Sequence, residues 1–117
     1  MSPTIVLRGG KPLLALGTPG GTRIPTTLLQ VLLNVLVYDK PLFDAIAAPR
    51  FHQQGRPDQV DYERLLAPAA TIEALGAMGH GVKITPEPIG DVQALMFSNG
   101  TITAVADPRG PGAAGGY

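Results

Sequence analysis

Apolar residues fall into short runs bounded by glycine, together with one longer run that has helical spacing. Residues 4–18 predict a β-hairpin, because two apolar stretches, Ile5–Leu7 and Leu13–Leu16, flank the turn signal Gly9-Gly10. A second hairpin is predicted over 91–107 around Asn99-Gly100. Short apolar runs between glycines favour strands over helices.

The clearest helical pattern lies in residues 26–39 and extends back to Ile24, with apolar residues three and four positions apart. They are Ile24, Leu28, Val31, Leu32, Val35 and Leu36. Leu29 and Leu33 widen this apolar face, so we expect a helix that is buried on most sides. Thr22 is the predicted N-cap, and Pro25 suits the first turn, where a missing N–H costs little.

Further elements alternate between helix and extended chain. A short helix is predicted over 40–49, and Asp39 or Asp44 can cap it. The other predicted elements are extended chain at 50–63, a helix at 68–78 and a strand at 81–85. This order predicts a single α/β (α+β) domain over 1–117 with mostly antiparallel strands.

Composition narrows the classes of function. The chain has 117 residues, with nine basic and nine acidic side chains and no basic stripe, so nucleic acid is not an expected partner. No apolar run is long enough to cross a membrane, and the start, Met1-Ser2-Pro3, does not resemble a signal peptide. The absence of cysteine excludes disulfides and thiolate metal sites.

The titratable residues show no convincing catalytic or metal-binding pattern. His80 follows a predicted helix end, and His52 lies on extended chain, so we expect structural roles for both. Asp58, Asp61 and Glu63 are interpreted as the solvated side of a turn and strand. No spacing of histidine or carboxylate residues is typical of a metal site.

The segment "LGTPGGTRIP" carries the strongest chemical signal. Gly20 and Gly21 lie between a predicted strand and a predicted helix, where successive backbone N–H groups can form a concavity that binds anions. A tight turn explains the same two glycines, and the segment lacks the lysine and spacing of a phosphate-binding loop. Both interpretations remain open from these residues alone.

Several blocks of this chain resemble the γ-glutamyltranspeptidase family in order and spacing. They are "MSPTIV", "LGTPGGTRIPTTLLQVLLNVL", "AAPRFHQQ", "GDVQAL" and "ADPRGPGAAGGY". Together they cover essentially the whole chain and resemble the C-terminal part of the small subunit of these enzymes.

The resemblance implies part of an N-terminal nucleophile hydrolase with an αββα sandwich. It implies transfer of a γ-glutamyl group, from glutathione or related amides, to water, an amino acid or a peptide. No cofactor or metal is implied. The oxyanion-hole glycines of the family fall on Gly20 and Gly21, and the implied partners are the rest of the small subunit and the large subunit. Family members are often periplasmic or extracellular, and the sequence leaves the compartment open.

The functional residues that the family carries upstream have no counterpart here. They include the N-terminal threonine nucleophile and the serine pair that immediately precedes the "MSPTIV" block. Thr4, Thr26 and Thr27 do not match the nucleophile. We therefore expect a fragment, a short gene product or a truncated paralogue that is inactive alone. The alternatives are a non-catalytic assembly domain and part of a related β-lactam acylase.

Overall fold

A computed structural model of the chain describes residues 3–64 and 67–117. The expectations drawn from Met1 and Ser2 lie outside these residues. The strands are β1 (Thr4–Arg8), β2 (Lys11–Gly17), β3 (Phe51–His52), β4 (Val60–Glu63), β5 (Val82–Thr85), β6 (Gln93–Ser98) and β7 (Thr101–Ala106). The helices are α1 (Ile24–Leu36), α2 (Leu42–Ala47) and α3 (Ala69–Ala77), and a 3₁₀ turn (Gly21–Arg23) precedes α1.

The two predicted hairpins form one four-stranded antiparallel sheet in the order β1-β2-β6-β7. Both turns contain residues with positive φ: Gly9 and Gly10 in the first, Asn99 and Gly100 in the second. This is the conformation that tight hairpin turns require, and glycine and asparagine tolerate it best. Both hairpin predictions are confirmed.

Helix α1 packs one side of its surface against the inner face of this sheet. Leu28, Val31 and Val35 join the core that the sheet residues Leu14 and Leu16 build. The expectation that α1 is buried on most sides is wrong, because Leu29 and Leu33 are exposed. Those two leucines lie on the opposite side of the helix, away from the sheet.

The second sheet has three strands in the order β3-β4-β5. Strand β4 pairs antiparallel with β3 and parallel with β5, and α3 connects the two parallel strands. Four of the strand pairings in the two sheets are antiparallel and one is parallel. The predicted α+β class with mostly antiparallel strands is therefore confirmed.

The predicted helix caps are wrong in detail. Thr22 lies inside the 3₁₀ turn, and α1 begins at Ile24 without a side-chain cap; Pro25 does occupy its first turn. Neither Asp39 nor Asp44 caps α2, whose N-cap position is Pro41. Within the described residues, no helix is long and apolar enough to cross a membrane.

The outer face of the four-stranded sheet is apolar and partly exposed, and Ala113, Ala114 and Gly115 border it. Ile5, Ala15, Leu95 and Ala104 form one cross-strand row on it, and Ile5 is 66% exposed. Ile102, on the same face of β7, is also exposed. Contiguous apolar surface of this kind drives association.

We expect the 117-residue chain to self-associate through this outer face. Ile5→Lys combined with Leu95→Lys should shift the chain toward monomer, because each lysine places a charge within the apolar row. Sedimentation velocity over a range of concentrations measures the change. Thr101→Lys is the control, since it adds charge at an exposed position outside that row. A wild-type chain that stays monomeric at the highest concentration would contradict the expectation.

Candidate functional site

The loop between β2 and α1, residues 18–23, contains two adjacent glycines in conformations that other residues rarely adopt. We call it the glycine loop. Gly20 has φ +138° and Gly21 has φ +57°. A Cβ atom added to Gly21 would meet nothing within 4 Å, so its Cα faces open space. Within this chain, backbone conformation rather than crowding explains why glycine occupies the position.

The carbonyl groups of Pro19, Gly20 and Gly21 each accept a hydrogen bond from this loop or the start of α1. Thr18 Oγ1 donates to Pro19 O at 2.8 Å, Arg23 N–H donates to Gly20 O at 3.0 Å, and Ile24 N–H donates to Gly21 O. The N–H groups of Gly20 and Gly21 have no acceptor among residues 3–64 and 67–117. Two free donors in succession, next to a helix N-terminus, can stabilise a negatively charged oxygen.

Gly90 lies against the base of this loop. A Cβ atom added to Gly90 would come within 2.9 Å of Thr18 Oγ1 and 2.8 Å of Thr27 Cγ2. Only glycine permits so close an approach, and its φ of +78° also favours glycine. The next residue, Asp91, donates its backbone N–H to Thr18 Oγ1 at 2.9 Å.

Two arginines and two carboxylates form a buried, charge-balanced cluster behind the loop. Arg50 Nη2 donates to Asp107 Oδ2 at 2.7 Å, and Arg109 Nη1 donates to Asp107 Oδ1 at 3.1 Å. Arg109 also pairs with Glu63 through its Nη2 and, at 3.0 Å, its Nε. We call Arg50, Glu63, Asp107 and Arg109 the charge cluster.

Backbone groups complete the charge cluster. Glu63 Oε1 accepts from Arg50 N–H at 2.8 Å, and Asp107 Oδ2 accepts from Val92 N–H at 2.8 Å. The guanidinium groups also donate to the carbonyl oxygens of Ile46, Ala48 and Ile89. Buried charges need such partners, because an unpaired one is costly.

The protonation equilibria of the cluster follow from this environment. Burial by itself would raise the pKa of Asp107, but the Val92 N–H and the Arg50 charge outweigh it, and the pKa lies below its ordinary value. Burial lowers the pKa of Arg50 despite the opposing effect of Asp107. Burial also acts to lower the pKa of Arg109, but its pairing with Glu63 prevails and raises it.

The interpretation of Glu63 as a solvated residue is wrong, since it is 2% exposed. Glu63 is the last residue of β4 and pairs with Arg109. Because Arg109 lies 46 residues later in the chain, no local pattern indicates this pairing. Asp61 is half-buried and pairs with Arg23 at 3.3 Å. Asp58 is exposed, as expected.

His52 has the hydrogen-bonded, structural role that the sequence predicts. Gln54 Nε2 donates to Arg56 O, so its Oε1 faces His52 Nε2 at 3.0 Å and accepts the hydrogen there. The Thr26 hydroxyl lies 2.7 Å from Nδ1 on the other side of the ring and donates its hydrogen to Arg23 O at 3.1 Å. The pair ties the first turn of α1 to β3.

The described residues include no group of three or more histidine, cysteine or carboxylate side chains placed to hold a metal ion. Gly79 follows the end of helix α3, as predicted, and its φ is +91°. His80 follows it and donates its backbone N–H to Leu75 O. Within the described residues, this histidine makes no hydrogen bond to the glycine loop or the charge cluster.

The antiparallel four-stranded sheet with α1 packed on it has the fold of part of an N-terminal nucleophile hydrolase. The Gamma-glutamyltranspeptidase family profile matches residues 1–117. The chain therefore belongs to the γ-glutamyltranspeptidase family, as the sequence blocks indicate.

Individual relatives agree with this assignment. The chain is 42% identical over 114 residues to a glutathione hydrolase proenzyme of Pseudomonas aeruginosa and 41% identical over 110 residues to that of Escherichia coli. These matches cover 96% and 93% of this chain but only 20% and 19% of the relatives. The chain thus spans about a fifth of the length of the curated relatives it matches.

Solved structures show the same relationship. A γ-glutamyltranspeptidase from Pseudomonas nitroreducens, complexed with L-DON, superposes with a TM-score of 0.94 at 39% identity. The match covers all of this chain and 62% of that chain. The transpeptidase CapD of Bacillus anthracis superposes with a TM-score of 0.84 at 27% identity.

Sequence reasoning singled out Gly20 and Gly21 but missed the residues that support their loop. Thr18, Gly90 and the charge cluster come from five separate segments that meet only in the folded chain. The blocks "PRFH" and "DPR" contain Arg50, Asp107 and Arg109, but nothing in their local pattern indicates that they pair with one another.

Replacing Asp107 should destabilise the chain in a pH-dependent way. Asp107→Asn leaves Arg50 and Arg109 without their shared carboxylate, so we expect the free energy of unfolding to fall by about 3–5 kcal/mol near neutral pH. Because folding lowers the pKa of Asp107, its stabilisation is complete above the pKa of an unfolded aspartate, about 3.9. It is lost as pH falls through the lower folded value.

Urea denaturation of the wild-type chain and the Asn variant, from neutral pH to about pH 2, measures this difference. The two stabilities should converge at the acidic end. Asp58→Asn is the control, because Asp58 is exposed and should change stability by less than about 0.5 kcal/mol. A stability difference that stays constant across the pH range would contradict the expected linkage.

Proposed function

We propose that this chain supplies the oxyanion hole for γ-glutamyl transfer or hydrolysis, acting on glutathione or related γ-glutamyl amides. The observation that carries the proposal is the pair of successive N–H groups on Gly20 and Gly21. Both lack an acceptor in the described chain, while their carbonyl groups are held by α1 and its 3₁₀ turn. The family assignment supplies the reaction class.

The chemistry requires donors of this kind. When a hydroxyl nucleophile attacks the γ-carbonyl carbon, the carbonyl oxygen becomes an oxyanion in a tetrahedral intermediate. Donors fixed in advance stabilise that charge without having to reorganise during the reaction. The N-terminus of α1, three residues beyond Gly21, adds a partial positive charge near the loop.

The nucleophile and the groups that hold the γ-glutamyl amine and carboxylate would come from other parts of the enzyme. We propose the rest of the small subunit and the large subunit as the partners of this chain. The share of the relatives that the chain matches, about a fifth, supports this proposal. The open apolar face of the four-stranded sheet is the surface that such a partner would cover.

An acylase is the second candidate function. The chain is 34% identical over 113 residues to the Acylase ACY 1 proenzyme of Pseudomonas sp. strain SE83. An amide of another acyl group passes through the same kind of oxyanion, so the role of Gly20 and Gly21 does not depend on the acyl group. The higher identities to glutathione hydrolases favour the γ-glutamyl donor. No observation specifically favours a non-catalytic assembly domain.

A side chain at Gly21 should reduce turnover more than stability. Valine is a poor probe, because a β-branched residue is strained at φ +57°. Asparagine tolerates this conformation, and its side chain would enter the open space beside the two N–H groups. In a chimera with residues 1–117 in place of the matching segment of the P. nitroreducens enzyme, Gly21→Asn should lower kcat by about 10²–10³-fold.

Gly9→Asn is the matched control, because Gly9 has φ +58° and also faces open space, but in the β1–β2 turn. Both variants should have similar melting temperatures, and only the Gly21 variant should lose kcat toward γ-glutamyl-p-nitroanilide. Normal kcat in a folded Gly21→Asn chimera would show that these N–H groups do not act on the oxyanion.

The 117-residue chain by itself should not turn over γ-glutamyl substrates. It carries the proposed oxyanion donors, but no residue in it matches the family's nucleophile. An oxyanion hole without a nucleophile leaves only residual rate enhancement over water. Release of p-nitroaniline by the purified chain above a heat-inactivated control would contradict this expectation.

A further inference from the structure

The hydroxyl group of Thr18 is completely buried and uses its hydrogen-bonding capacity in both directions. It donates to Pro19 O at 2.8 Å and accepts from Asp91 N–H at 2.9 Å. Neither bond belongs to a helix or a sheet. Thr18 therefore connects the glycine loop to the segment Ile89–Val92.

The bond to Pro19 O also determines the orientation of the whole Pro19–Gly20 peptide unit. Pro19 O and the N–H of Gly20 belong to the same peptide unit, which is trans; the cis peptide in the described chain is at Arg56-Pro57. In a planar trans peptide, the C=O and N–H bonds point in opposite directions. Holding Pro19 O toward the buried Thr18 hydroxyl turns the Gly20 N–H away from it.

We propose that Thr18 is a positioning residue whose hydroxyl fixes the direction of the Gly20 N–H, and that Gly90 and Asp91 hold Thr18 in place. This inference rests on the proposed function, because the direction of that N–H matters for the oxyanion. Gly20 itself has wide conformational freedom, so an external anchor is needed to keep its peptide unit in one orientation.

The anchor is itself rigid. Gly90 approaches so closely that an added Cβ would lie 2.9 Å from Thr18 Oγ1. The charge cluster holds both sides of the segment Ile89–Val92: Arg50 Nη1 donates to Ile89 O at 2.8 Å, and Val92 N–H donates to Asp107 Oδ2 at 2.8 Å. Hydrogen bonds thus connect Asp107 to Val92, the neighbouring Asp91 to Thr18, and Thr18 to the Pro19–Gly20 peptide.

Thr27 is a matched control within the same packing layer. It is as buried as Thr18, and an added Cβ on Gly90 would contact it as well. Its hydroxyl oxygen has no hydrogen-bond partner in the described chain. Replacing threonine by valine at position 18 or 27 changes the same atoms at the same depth, but only position 18 loses the two bonds.

The kinetic test uses the P. nitroreducens chimera with Thr18→Val, Thr18→Ser and Thr27→Val. Thr18→Val should lower kcat by about 10- to 100-fold with little change in KM, because misorientation of one donor affects the transition state more than substrate binding. Thr18→Ser retains the hydroxyl and should restore most of kcat, and Thr27→Val should behave as wild type. Equal kcat in the two valine variants would overturn the inference.

The outcomes separate this inference from the proposed function. If Gly21→Asn abolishes kcat while Thr18→Val matches Thr27→Val, the oxyanion hole stands and the role of Thr18 is wrong. If Gly21→Asn leaves kcat normal, the proposed function itself fails.

A measurement that does not depend on activity tests the geometry directly. In ¹⁵N-labelled 117-residue chain, Thr18→Val should shift or broaden the Gly20 amide resonance. Thr18→Ser and Thr27→Val should leave it in place. A Gly20 amide resonance that is unchanged in Thr18→Val would overturn the proposed anchoring.

Discussion

The buried charge cluster of Arg50, Glu63, Asp107 and Arg109 is the interaction on which the arrangement of this chain depends. It brings together the end of α2, the end of β4, the segment before β6 and the chain terminus. Two positive and two negative charges balance, and backbone groups satisfy most of the remaining donors and acceptors. Such a cluster tolerates few alternative geometries, because any displaced member would leave a buried charge unpaired.

The charge cluster holds the segment Ile89–Val92 in place, and this segment contacts the glycine loop. Gly90 packs closely against Thr18, and the Asp91 N–H donates to the Thr18 hydroxyl. That hydroxyl donates in turn to Pro19 O, in the Pro19–Gly20 peptide. The oxyanion hole that we propose requires donors that are oriented before the charge develops. Two glycines provide the required conformation but no rigidity, so the rigidity has to come from the surrounding packing.

The chain belongs to the γ-glutamyltranspeptidase family and corresponds to about a fifth of the length of its curated relatives. Its architecture fits a component of a larger layered enzyme. One face of the main sheet buries α1, and the opposite face exposes Ile5, Leu95 and Ile102. The same chain therefore combines a buried, charge-balanced cluster with an apolar surface that is largely exposed.

The sequence by itself determined the local elements, because hydrophobic period, glycine turns and proline positions act over a few residues. Both hairpins, all three helices and the family blocks were recognisable in this way. Only the tertiary structure decided that Leu29 and Leu33 face solvent, that Glu63 is buried and that Thr18 is anchored. Their partners are distant in the chain: Arg50 and Asp107 are 57 residues apart, and Thr18 and Asp91 are 73 residues apart. A local pattern carries no information about which distant polar group a side chain will meet, and burial and electrostatics at this site depend on that choice.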